Sequence, residues 1–142
     1  MSKFFCIHGN FQTPSAWKPL AENLKARNVN LDVIPVNLEN YSFDGFDRWV
    51  DGFCNSVETQ SSHEKSFLLG YSLGGRLALH ACLSRPDLWD AAIVVGADPG
   101  LESEEDKRLQ LERDRNLARR LTSEPLEKLA DEWDKQPVFC GL

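Results

Sequence analysis

Gly70-Tyr71-Ser72-Leu73-Gly74 sets a serine between two glycines in a Gly-x-Ser-x-Gly spacing. It directly follows the apolar run Ser66 to Leu69 and opens a helical stretch, and that context gives a short pattern its meaning. A serine at such a strand-to-helix turn is pushed into the open as a nucleophile, and small neighbours at Gly70 and Gly74 let strand and helix approach closely. Ser72 is therefore the candidate catalytic residue. Nucleophilic chemistry at this turn also needs two backbone N–H donors for a developing oxyanion. Leu73, the next residue, supplies one, and the loop His8-Gly9-Asn10 after the opening apolar run offers the Asn10 amide as the second. His8 at a strand end reads as structural, and neither His63 in a polar loop nor His80 within the helix after Ser72 is placed as a base. A phosphate loop is disfavoured, because no Lys-Ser/Thr follows the glycines and the Gly-x-Gly-x-x-Gly spacing is not met.

The elements that position these residues alternate. Phe4 to Ile7 reads as a strand and Pro14 to Arg27 as a helix with Trp17, Leu20, Ala21 and Leu24 on one face. Leu31 to Leu38 reads as a second strand, and Pro35 assigns it an edge or an irregularity. Phe46 to Val57 carries Phe46, Trp49, Val50, Phe53 and Val57 at helical spacing, and Thr59 to Lys65 reads as a loop. The strand Ser66 to Gly70, the helix Leu73 to Ser84 stopped by Arg85-Pro86, and a buried strand Ala91 to Val95 complete the series. Strands alternating with helices predict a parallel sheet. From Leu101 the composition turns charged, with a helix marked by Leu109, Leu117 and Leu121 up to Thr122. A second helix is predicted from Ser123-Glu124-Pro125, with Ser123 as its cap, toward Trp133 and an end at Pro137. A boundary near residue 100 separates the two kinds of segment.

With 22 acidic against 16 basic residues, a net charge of -6 argues against nucleic acid as the partner. No apolar run has the length of a signal h-region or a membrane span, which predicts a cytoplasmic chain. Cys6, Cys54, Cys82 and Cys140 lie far apart with no metal-ligand spacing and read as free thiols. No ligand cluster or dinucleotide fingerprint implies a metal, flavin or nicotinamide, so the expected chemistry is cofactor-independent.

The chain resembles the α/β-hydrolases, and within them 2-succinyl-6-hydroxy-2,4-cyclohexadiene-1-carboxylate synthase of menaquinone biosynthesis. The resemblance is carried by Gly-Tyr-Ser-Leu-Gly-Gly-Arg at 70 to 76, Pro99-Gly100-Leu101, Asp114-Arg115, Glu124-Pro125-Leu126, Ala130-Asp131, Trp133 and Gln136-Pro137-Val138-Phe139. It implies a partial α/β-hydrolase fold: a parallel sheet flanked by helices over residues 1–100, bearing the nucleophile, then a helical cap segment over 101–142. It implies elimination of pyruvate from an enolpyruvyl cyclohexene carboxylate, a triad that removes a ring proton, and a small carboxylate substrate. Tyr71, Arg76 and Trp133 match family positions at the substrate, Arg76 as a carboxylate ligand. Val36-Asn37-Leu38-Glu39-Asn40 stands where the family carries an Asp-Leu-Pro-Gly-His-Gly-like stretch, so no contact of that loop is carried over.

The family's fold expects two further strands bearing the triad Asp and His, and no His follows His80 in these residues. The expectation is a chain inactive by itself, with an unpaired sheet edge that takes up a missing C-terminal half or self-associates. A carboxylic-ester hydrolase and a non-catalytic fragment or pseudoenzyme are the alternative readings.

Overall fold

The computed structural model describes residues 1–60 and 64–139. Four strands, β1 (Ser2–Ile7), β2 (Leu31–Val36), β3 (Ser66–Tyr71) and β4 (Ala91–Val95), form one sheet in the order β2-β1-β3-β4. All three pairings are parallel, with Ile7 opposite both Val36 and Gly70, and Tyr71 opposite Val95. The carboxyl ends of the strands therefore lie together along one side of the sheet. Pro35 stands on β2, at the edge, where its missing N–H removes no ladder bond from the interior.

The helices between the strands are α1 (Lys18–Ala26), α2 (Phe46–Gln60) and α3 (Leu73–Ser84), with a 3-10 turn at Pro14–Trp17 ahead of α1. Strand alternation sends Phe5, Ile7 and Leu68 to one face, where they are buried against Trp49, Val50, Phe53, Cys54 and Val57 of α2 and Leu77, Ala78 and Ala81 of α3. The opposite face buries Phe4, Cys6 and Leu69 beneath Trp17 and, from α1, Leu20 and Leu24. Burial on both faces explains why β1 reads as an unbroken apolar run rather than an alternating one. α2 runs three residues past the predicted end at Val57 and takes in Thr59 and Gln60, which were expected in a loop. The side chain of Thr59 bonds back to the Asn55 carbonyl at 2.9 Å and that of Gln60 to Ser56 at 2.8 Å, extending the last turn.

β4 corrects an expectation. Its all-apolar sequence predicts a buried strand, yet Ala91, Ala92, Ile93 and Val95 are exposed, Ile93 at 54% and Val95 at 47%. Among the described residues β4 is an edge strand that pairs with β3 alone, and α1 covers the β1 and β2 end of that face. The uncovered part forms an apolar groove of about 250 Å³ that includes Phe4, Phe67, Ala91 and Ile93.

The chain divides into two compact units, Met1–Pro99 and Gly100–Leu142. The second holds α4 (Glu104–Ser123), α5 (Leu126–Asp134) and a 3-10 turn at Pro137–Phe139. Ser103 caps α4, its hydroxyl accepting from the Asp106 N–H at 3.2 Å, and Glu104, Glu105 and Asp106 place negative charge at the positive end of the helix. The cap predicted at Ser123 is not found. Ser123 is the last residue of α4 and donates its hydroxyl proton to the Arg119 carbonyl at 3.0 Å, while Pro125 occupies the cap position of α5. A serine's back-bond to the carbonyl four residues earlier competes with capping the next helix, and here it wins. Among the described residues, no helix is long and apolar enough to cross a membrane.

Candidate active site

Strand order reverses direction between β1 and β3: the chain passes from β1 to β2 on one side and from β3 to β4 on the other. A crevice opens at such a switch point, outside the carboxyl ends of the strands, because the connecting loops diverge there. The loop after β1 and the turn after β3 are the two that meet at it, and they carry His8-Gly9-Asn10 and Ser72.

Ser72 has φ 54° and ψ -117°, a left-handed conformation that a residue with a side chain adopts only under constraint, at about 1–3 kcal/mol. The surrounding glycines supply that constraint. A Cβ on Gly70 would run into the carbonyl of Gly74, and one on Gly74 would run into the carbonyl of Ile7 and come within 2.7 Å of the His8 oxygen. Helix α3 thus lies hard against the ends of β1 and β3. Although Ser72 occupies the cap position of α3, its hydroxyl makes no capping bond, and this leaves it available for chemistry.

Leu73 is the first residue of α3, where a backbone N–H has no partner within the helix. Gly9 abuts the nucleophile from the other loop: a Cβ there would come within 3.1 Å of the Ser72 Cβ and 3.2 Å of the Tyr71 ring. The loop turns sharply at Phe11, whose φ is 56°, and the Gly9 N–H donates to Gln12 Oε1 at 2.9 Å. Asn10 is exposed in this turn. Gln12 was not singled out from the sequence; a carboxamide three residues after the glycine was its only signal.

His8 is buried at 5% exposure, with Nδ1 3.0 Å from the Gly9 carbonyl oxygen, as a structural histidine should be. His80 is exposed on α3, with Nδ1 3.8 Å from an Asp47 carboxylate oxygen and its ring edge-on to Phe46. His63 lies outside the described residues. Among the described residues, no imidazole hydrogen-bonds Ser72.

Tyr71 places its ring between Gly9 and Gly96, at the flank of the nucleophile. Arg76 sits one turn along α3, its N–H donating to the Ser72 carbonyl at 3.1 Å and its exposed guanidinium 4.9 Å from the centre of the Phe46 ring. Trp133 belongs to α5 in the second unit, where it is partly buried. Cys6, Cys54 and Cys82 are free thiols; burial pushes Cys6 up to about 12 and Cys54 up to about 11, which holds both as unreactive neutral thiols. Cys140 lies outside the described residues.

A model of the alpha/beta hydrolase family matches residues 4–141. The 2-succinyl-6-hydroxy-2,4-cyclohexadiene-1-carboxylate synthase of Photorhabdus laumondii subsp. laumondii is 34% identical over 140 residues, covering 96% of this chain and 50% of that protein. The structure of MenH from S. aureus superposes with a TM-score of 0.82 at 21% identity, over 98% of this chain and 54% of that one. Polyneuridine aldehyde esterase gives 0.56 at 21% identity, over 68% of this chain and 40% of the esterase. The chain spans about half the length of the curated relatives it matches. A strained serine elbow at the switch point of a parallel sheet, within a family match running over almost all its residues, means that the chain belongs to the alpha/beta hydrolase family.

Proposed function

We propose that this chain is the nucleophile-bearing part of a carbon-oxygen lyase that eliminates pyruvate from an enolpyruvyl cyclohexene carboxylate in menaquinone biosynthesis. The observation that carries the reading is the 34% identity to the Photorhabdus synthase across 96% of this chain, elbow and helical segment together. In the reaction a ring C–H proton is removed and its electron pair forms a ring double bond. The C–O bond to the enolpyruvyl group then breaks, and the departing enolate takes up a proton to become pyruvate. Ser72, deprotonated by an imidazole, abstracts the ring proton. The N–H groups of Leu73 and Asn10 receive the negative charge that develops beside the abstracted proton. Arg76, Tyr71 and Trp133 bind the substrate, Arg76 by pairing with a carboxylate.

Among the described residues neither His8 nor His80 bonds to Ser72, and a serine without its imidazole loses most of its activation. These residues by themselves are accordingly inactive or nearly so, and the exposed edge of β4 is where the remainder of the fold pairs. The free thiols fit a reducing compartment, and we assign the chain to the cytoplasm. The test is pyruvate release, coupled to lactate dehydrogenase, from the enolpyruvyl substrate by an enzyme that combines this chain with the C-terminal half of the Photorhabdus synthase. Turnover that Ser72→Ala abolishes supports the reading. An enzyme that leaves this substrate untouched but turns over aryl esters is an ester hydrolase instead.

A further inference from the structure

Arg76 stands in the first turn of α3, a turn with no acidic residue, and among the described residues its guanidinium makes no ion pair. A cation there opposes the helix dipole, whose positive end lies at this terminus, so the placement does not serve the helix. What holds the side chain is an aromatic ring: the guanidinium carbon lies over Phe46, 4.9 Å from the ring centre. Phe46 is the first residue of α2, partly buried and packed against the core that α2 and α3 share. His80, one turn after Arg76 on α3, meets the same ring at 5.2 Å with an interplanar angle of 82°. Asp47, the acid next to Phe46 in the chain, lies 3.8 Å from His80 Nδ1 and pairs there instead of with Arg76. The core and His80 fix the ring, and the ring fixes the guanidinium.

We propose that Phe46 is a positioning residue: braced by His80, it holds the Arg76 guanidinium as an unpaired cation one turn from Ser72, ordered before an anionic substrate arrives. An arginine left loose in solvent loses rotamer freedom when it pairs with a ligand, and one already laid on a ring loses less. A carboxylate from the protein would order the side chain as well, but it would also offset the charge that the ligand needs. An aromatic face orders it and leaves the charge uncompensated. The turn of Asp47 toward His80 serves the same end, because it keeps the acid at the start of α2 off the guanidinium. The inference rests on the reading of Arg76 as a carboxylate ligand and adds what keeps that ligand in place.

The experiment has two readouts. In the 142-residue chain, ¹⁵N-labelled, the Nε–H proton of Arg76, assigned by its loss in Arg76→Lys, should lie upfield of the ordinary arginine range because it stands over a ring. That shift should persist in Phe46→Tyr, vanish in Phe46→Leu and shrink in His80→Ala, a substitution at an exposed side chain that leaves the core intact. In the enzyme completed with the C-terminal half of the Photorhabdus synthase, Phe46→Leu should raise KM for the enolpyruvyl substrate roughly two- to fivefold with little change in kcat. Phe46→Tyr should restore KM, and Phe46→Leu should add nothing in an Arg76→Ala background. An Arg76 resonance that Phe46→Leu leaves in place, or a KM increase that persists undiminished without Arg76, would overturn the proposal. If the completed enzyme releases no pyruvate, the lyase reading falls, and the Arg76 resonance alone decides whether Phe46 holds the guanidinium.

Discussion

The backbone N–H of Ser72 donates to the carbonyl oxygen of Val95 at 2.9 Å, tying the strained nucleophile to the exposed edge strand of the sheet. Two consequences follow for the elbow. Its conformation is held partly by glycines packed beneath it, and partly by a strand with one neighbour among the described residues.

The glycine contribution is the larger. The Ile7 carbonyl that faces Gly74 is backbone at the end of the central strand, which cannot give way. Gly74→Ala should destabilise the chain by about 3 kcal/mol or leave it unfolded, whereas Gly45→Ala, with nothing near its Cβ but a φ of 97°, should lose only about 1 kcal/mol from backbone strain. Urea denaturation of the two variants checks the order; equal losses would mean that close packing at Gly74 is not what holds the elbow.

Strain at Ser72 is separable from its chemistry. Ser72→Gly removes the Cβ at φ 54° and should raise stability by about 1 kcal/mol, while Ser72→Ala keeps the Cβ and should stay within about 0.5 kcal/mol of the parent. Chemical denaturation midpoints distinguish them. A glycine variant no more stable than the alanine variant would mean that the turn is unstrained.

At β4, the exposed Ile93 and Val95 leave an apolar strand with an open edge. The isolated chain should self-associate with rising concentration in sedimentation velocity, and Ile93→Lys with Val95→Lys should hold it monomeric. Concentration-dependent association that persists in the double variant would place the sticky surface elsewhere.

The second unit carries a pH signature. Glu124 bonds to Arg120 at 2.6 and 3.0 Å and to Lys128 at 2.8 Å, and these cations, Arg120 foremost, hold its carboxyl down at about 2. A depressed carboxylate contributes fully above its unfolded value near 4.5, and the contribution fades as pH falls toward 2. An NMR titration of Glu124 should show the low value, and Arg120→Ala should return it most of the way to the ordinary range. A titration near 4.5 in the parent would remove the network. Because its partners Arg120 and Lys128 and the carboxylate itself are all partly open to solvent, salt should weaken the effect.

The sequence was most legible where local chemistry and tertiary demand coincide. Gly70 and Pro86 bracket α3, and its bounds of Leu73 and Ser84 were read directly. Phe4 to Ile7 reads as a strand and lies in one, β1, whose two faces are both covered. The same kind of run misleads at Ala91 to Val95, because an apolar sequence reports what a strand is suited to pack against and not what lies over it. Ser123 misled for a related reason: a hydroxyl between two helices can bond backward or forward, and composition does not say which. Gln12 stayed invisible because its role depends on which backbone N–H its oxygen meets, and loops carry no periodicity from which to read it. Ser72 was legible from its spacing, whereas Tyr71, Arg76 and Trp133 entered only through resemblance.

The central claim is that Ser72 serves an elimination. It is tested most directly by the initial rate of pyruvate release from the enolpyruvyl substrate by this chain joined to the C-terminal half of the Photorhabdus synthase, compared with its Ser72→Ala variant. The account predicts a rate that falls by at least about a thousandfold in the variant, together with no detectable release by residues 1–142 alone. A rate that Ser72→Ala leaves unchanged, or an intact enzyme that releases no pyruvate while hydrolysing aryl esters, would contradict it.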